Sequence, residues 1–179
     1  PLWRATEGGW GSRGPAFALA WSAAVRMYAP SGQDEKGASK IGDRVAINIR
    51  SATPSSRWTN TCVVRISWIL DRCGLLIPAT AHQTVSGADG RQYFFRIRDI
   101  KRFLLLRWGH ADQQLRSGPR GKQADNMRGV VIFETSGWHD ARGHVSLLLH
   151  GQCYDHCYFG GNPLLNYRLD QASFWILPP

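Results

Sequence analysis

Three side chains have the types and the order that a thiol hydrolase requires: Cys62, His144 and Asp155. Such an enzyme attacks a carbonyl with a thiolate, moves its proton through an imidazole, and fixes the ring's tautomer with a third polar group. Cys62 stands at the head of a stretch whose apolar residues fall at 63, 66, 69, 70 and 73, with Ser67 as a polar break. That spacing predicts a helix with one buried face. Asn60 or Thr61 can cap its start, and Gly74 stands where a left-handed terminating residue is wanted. Cys62 would then sit at the positive end of the helix dipole, where unpaired N–H groups favour a thiolate over a thiol.

A free cysteine is also a common core residue, so the partners decide its role. His144 opens the apolar run HVSLLL, and Asp155 follows eleven residues later. A hairpin return can set them side by side, because neighbouring strands lie about 4.8 Å apart. On spacing alone His82, His110, His139, His150 and His156 are equally available as the base. His150, Cys153, His156 and Cys157 form a cluster of soft ligands, but two cysteines three residues apart with interleaved histidines are not a standard zinc spacing. The reading therefore assigns no metal and no cofactor. Cys153 and Cys157 are the only local cysteine pair and can close a short disulfide loop, which would suit an oxidising compartment. Cys62 and Cys73 would be about 16 Å apart on one helix, too far to bridge.

The elements that must position these groups are legible to different degrees. Pro15 to Met27 reads as an amphipathic helix turning Phe17, Trp21, Ala24 and Val25 inward. Residues 33–40 are polar, 41–48 suggest an extended segment, and 51–56 are a loop beside the nucleophile punctuated by Pro54. A turn at 86–90 precedes a strand over 93–97 and a helix over 98–108 packed by Ile100, Phe103, Leu104 and Trp108. Residues 109–126 read as a loop, and 129–135 as the clearest central strand. The run 144–149 returns along it, 152–159 offers a third strand, and 174–177 closes the chain as an apolar anchor. A cysteine helix followed by a strand meander is an α+β layout.

With 179 residues, 43% of them hydrophobic, and no repeat or low-complexity break, the chain suits one domain, 1–179. A formal charge of +9 favours polyanions such as an acidic cell-wall polymer, nucleic acid or an anionic membrane. The basic residues are scattered, and no nucleic-acid module is recognisable, so neither nucleic acid binding nor membrane insertion is expected. No run approaches the roughly 18 apolar residues of a membrane span, and no signal-peptide pattern is visible at the start.

Four segments in order carry a more specific resemblance: Asn60-Thr61-Cys62-Val63-Val64-Arg65-Ile66-Ser67, then 93–100 (YFFRIRDI), then 129–133 with 136–145 (SGWHDARGHV), then 153–159 (CYDHCYF). Together they resemble the type VI secretion amidase effector family 4. The resemblance implies a papain-like fold of the NlpC/P60 type, with a nucleophile helix packed on an antiparallel sheet. It implies cleavage of the bond between D-glutamate and meso-diaminopimelate in peptidoglycan stem peptides.

By position it implies Cys62 as nucleophile, His144 as general base, Asp155 as third member, and a disulfide between Cys153 and Cys157. Trp58, Trp138, Asp140 and Arg57 flank the expected cleft and could contact the stem peptide. Made in the producer cytoplasm and delivered by a type VI apparatus to the periplasm of target bacteria, such a toxin needs a cognate immunity protein. The alternatives are a non-toxin wall endopeptidase, a general cysteine protease, or a catalytically inactive module that binds polyanions.

Overall fold

The computed structural model describes residues 13–14, 21, 33–116, 126–138, 142–159 and 166–177. The expected helix over 15–27 lies outside these residues except at Trp21, which is helical and buried. Residues 33–48, expected as a polar stretch and an extended segment, are instead two helices, α1 (Gln33–Ile41) and α2 (Asp43–Ile49). The buried residues Ala38, Ile41, Val45 and Ile49 recur at helical spacing across both, whereas Ile47, expected in the extended segment, faces solvent at 66% exposure. Asp34 and Glu35 in the first turn and Lys40 in the last suit the dipole of α1.

Helix α3 (Cys62–Arg72) begins at the cysteine. Neither expected cap works by a side-chain bond of the usual kind. The Thr61 hydroxyl donates to Asp34 on α1, and Asn60 Oδ1 accepts the Cys62 N–H at 3.5 Å. The far end does terminate as expected. Gly74 has φ 85°, its N–H reaches Asp71 O at 3.0 Å, and the Leu75 N–H reaches Leu70 O at 2.9 Å. This reciprocal pair is the Schellman closure that a left-handed glycine permits. The expectation of a single buried face does not hold, since every residue from Cys62 to Asp71 is buried. The helix is packed by α1 and by the elements that follow it, on several sides.

Strands β1 (Thr84–Ser86) and β2 (Gln92–Phe94) form an antiparallel hairpin with Val85 opposite Tyr93. The strand expected over 93–97 is shorter and earlier, because Ile97 already opens helix α4 (Ile97–Trp108). Ser67, the polar break of α3, explains where β2 is held. Its buried hydroxyl donates to Val63 O at 2.8 Å and accepts the Phe94 N–H at 3.1 Å. The expected inward residues of α4, Ile100, Phe103, Leu104 and Trp108, are all buried.

The main sheet is antiparallel, in the order β3-β7-β4-β5-β6. Its strands are β3 (Gln113–Leu115), β4 (Arg128–Ser136), β5 (Gly143–Leu149), β6 (Gln152–Cys153) and β7 (Arg168–Ile176). β4 is central and β5 returns along it, as expected, with Phe133 opposite His144. Three readings are corrected. The expected loop over 109–126 contains β3, the expected third strand over 152–159 ends at Cys153, and the terminal anchor is an inner nine-residue strand.

Both sheet faces are covered. Val130, Ile132, Val145 and Leu147 join the helical core, while Val131, Phe133, Leu148 and Phe174 form a second cluster. Double burial explains why β4 reads as a continuous apolar run instead of alternating. Gly143 is required where β5 starts, since a Cβ there would lie 2.2 Å from Phe133 O.

Candidate active site

Cys62, the first residue of α3, is 2% exposed, and His144, the second residue of β5, is 7% exposed. The imidazole lies, through Nε2, 3.1 Å from Asp155 Oδ2, and it is close enough to Cys62 to feel its charge. Asp155 follows β6 and accepts further hydrogen bonds from the Arg65 guanidinium at 2.8 Å, the Ser146 hydroxyl and the His156 N–H at 2.7 Å. The loop carrying Asp155 is closed by a disulfide between Cys153 and Cys157. The Tyr154 N–H bonds Leu147 O at 2.9 Å and ties that loop to β5.

This environment sets the charges. Burial opposes protonation of His144, but the bonds and charges of Asp155 and Cys62 outweigh it and push the imidazole up to about 9. Burial likewise opposes ionisation of Asp155, yet His144, Ser146 and Arg65 hold its carboxyl well below the usual range. Burial lowers the Arg65 guanidinium, and the charge and hydrogen bond of Asp155 act the other way. The ring is therefore an imidazolium at neutral pH, set between the Asp155 carboxylate and the Cys62 sulfur. That arrangement can attack a carbonyl and protonate a leaving amine without first recruiting a proton from solvent.

Cys62 opens into a cleft of about 690 Å³. Its apolar wall includes Val63, Ile97 and the pair Trp58 and Phe95, stacked with ring centres 4.9 Å apart. Arg57, Arg96, Arg98 and Arg142 line the same cleft, and no acidic side chain does so among the described residues. Arg57 is anchored by Nε donating to Ser51 O at 2.6 Å, and Arg96 by Nη1 donating to His82 O at 3.1 Å. Such a lining favours a substrate bearing carboxylates.

Of the residues expected to contact substrate, Trp58 and Arg57 line the cleft. Trp138 does not. It packs on Tyr158 at 4.9 Å, and Tyr158 in turn packs on His144 at 5.0 Å. Asp140 and the alternative base His139 lie outside the described residues. Cys153 and Cys157, two of the four ligands in the rival zinc reading, are bonded to each other.

Sequence reasoning missed Arg65 and Ser146, although periodicity points to both. Arg65 lies three residues after Cys62 on one helix, and Ser146 two after His144 on one strand, so each shares a face with its neighbour. It also missed Phe95, Arg96 and Arg98, which had been read as strand and helix.

A buried thiol, imidazole and carboxylate beneath an arginine-lined cleft, on an α+β scaffold, make a site suited to acyl chemistry. Comparison with known proteins supplies the family. Residues 58–175 match the family described as "Type VI secretion system (T6SS), amidase effector protein 4", or Tae4, and the chain belongs to it.

Solved structures agree. The Tae4–Tai4 effector–immunity complex from Enterobacter cloacae contains a chain 32% identical, with a TM-score of 0.76 over 92% of this chain and 99% of that one. The effector Tae4 from the same organism gives 31% and 0.74 over 92% and 98%. The Tae4–Tai4 complex from Salmonella Typhimurium gives 29% and 0.74 over 92% and 99%. A comparison with curated proteins gives no match.

Proposed function

We propose that this chain is a single-domain cysteine amidase, papain-like and related to the NlpC/P60 peptidases, that cleaves the γ-D-glutamyl–meso-diaminopimelate bond of peptidoglycan stem peptides. The observation that carries the reading is the contact of His144 with both Cys62 and Asp155 at the cleft, in a member of an amidase effector family. The thiolate of Cys62 attacks the γ-glutamyl carbonyl. The developing oxyanion takes the Cys62 N–H from its long contact with Asn60 Oδ1. His144 then donates its proton to the departing diaminopimelate amine, and water, deprotonated by the now neutral imidazole, hydrolyses the thioester. Asp155 orients the ring and balances its charge, while Arg57 and Trp58 hold the stem peptide.

The relatives crystallised with Tai4 support a cognate immunity protein as partner, and the family supports delivery by a type VI apparatus. Action in the periplasm of the target cell fits both the peptidoglycan substrate and the Cys153–Cys157 bond.

Digestion of diaminopimelate-type peptidoglycan, with products identified by mass spectrometry, tests the reading. Wild type should release free diaminopimelate amino termini, and Cys62→Ala should release none. Intact muropeptides from folded wild type would overturn it.

A further inference from the structure

Arg96 and Arg98 stand between two cavities. On one side is the cleft that contains Cys62. On the other is a second cavity of about 380 Å³, lined also by His82, Gln83, Asp99 and Arg102. Three arginines thus line a space whose only carboxylate, among the described residues, is Asp99, which is 7% exposed and lies 3.5 Å from Arg98 Nε.

The cluster is partly built in advance. The Arg96 guanidinium is fixed by His82 O at 3.1 Å and by the Phe95 ring, whose centre is 4.7 Å away. Arg102, one helical turn beyond Arg98, has no hydrogen bond or ion pair among the described residues. Three exposed cations around one buried acid make a locally positive surface that attracts anions.

We propose that this second cavity is a carboxylate subsite, continuous with the catalytic cleft, that binds a carboxylate of the stem peptide away from the scissile amide. The inference rests on the amidase reading for the identity of the anion. A γ-linked glutamyl residue leaves its α-carboxylate free, and diaminopimelate brings another, whereas the stem peptide carries no phosphate. Side chains one helical turn apart have Cβ atoms about 5–6 Å from each other. An extended chain covers about 3.3–3.6 Å per residue, so the step from Arg98 to Arg102 spans on the order of two residues. Arg98 serves both cavities, and Arg102 sets the selection for the remote charge.

The test uses soluble stem-peptide fragments in pairs that differ only in whether one carboxylate is free or amidated. For wild type, kcat/KM should favour the free acid about tenfold in at least one pair, the scale of one charge-assisted hydrogen bond. Arg102→Gln should shrink that preference to within about twofold, and Arg102→Lys should restore part of it. An unchanged preference in Arg102→Gln, or an equal fall on both members of every pair, would overturn the subsite.

Calorimetric binding of the same fragments to Cys62→Ala, with and without Arg102→Gln, reads the subsite without cleavage. A free-acid preference there that depends on Arg102, in a protein whose wild type cleaves nothing, would keep the subsite and discard the amidase reading. Equal binding of free and amidated fragments would discard the subsite whether or not wild type cleaves them.

Discussion

The Arg65 guanidinium, on the helix that begins with Cys62, lies 2.8 Å from Asp155 Oδ2, the same oxygen that His144 Nε2 meets at 3.1 Å. Arg65 and Asp155 are ninety positions apart along the chain, yet one buried ion pair locks the helix of Cys62 to the loop of Asp155. Removing one partner of an isolated buried pair costs about 3–5 kcal/mol, and His144, Ser146 and the His156 N–H, which still face Asp155, place the cost here at the lower end of that range. Arg65→Met should therefore lower the unfolding free energy by that order. It should also reduce kcat while leaving KM nearly unchanged, because Arg65 is absent from the cleft lining. Urea unfolding and steady-state kinetics check the two halves separately.

The imidazole at about 9 predicts the alkaline limb of the pH–rate profile. Activity should fall above about pH 9 as the proton that the leaving amine needs is lost. In Asp155→Asn the largest upward influence disappears and burial pulls the other way, so the limb should move toward neutrality and activity at pH 8 should drop. Stability follows the same sign. With the folded value raised above the ordinary 6.5, the contribution of His144 is fully present below pH 6.5 and vanishes as pH rises through about 9. Unfolding free energies at pH 6, 8 and 10 measure it.

How much of this was readable beforehand depended on whether the pattern was local. β4 and β5 are continuous apolar runs, Gly74 terminates α3, and Cys62 leads it, so all were visible as short-range signals. α1 and α2 were not, because the stripe 38, 41, 45, 49 crosses Gly42 and each half alone is too short to show its period. β7 escaped because polar Asp170, Gln171 and Ser173 mask a strand whose burial depends on neighbours far away in sequence. Within the site, types and order nominated Cys62, His144 and Asp155, while the rest of the hydrogen-bond shell of Asp155 exists only once β5, β6 and α3 are assembled.

The Cys153–Cys157 bridge closes the loop that presents Asp155. Reduction should stabilise the unfolded chain by about 2 kcal/mol, the closure entropy of so short a ring. Activity should fall further than that, since Asp155 loses its tether. Cys62 is a free thiol and does not require oxidation, so the loss must appear equally in Cys153→Ser/Cys157→Ser without reductant. Comparing that variant with reduced wild type by activity and by thermal melting checks the prediction.

Asp71, near the end of α3, supplies a test of the fold apart from the chemistry. One oxygen accepts the Ile77 N–H at 3.0 Å, the other is buried without a hydrogen-bond partner among the described residues, and burial pushes the carboxyl up to about 6. A carboxyl raised in the folded state favours folding most below its ordinary value near 3.8 and loses that advantage as pH climbs through about 6. Asp71→Asn should remove this pH dependence and stabilise the protein at pH 7 by on the order of 2 kcal/mol. Unfolding curves of both proteins between pH 4 and 8 give the comparison.

The position of β7 has a consequence for how the molecule comes into being. Residues 168–176 form the strand between β3 and β4, so the last described strand to be synthesised is an interior one. A nascent chain whose final strand is still inside the ribosome has a gap in the middle of its sheet, with β4 unpaired along one edge. The non-local pairing that closes the gap is slow compared with helix formation. The cell that makes this protein therefore holds an incomplete sheet during translation, and β4 gains its second neighbour only after residue 176 has emerged.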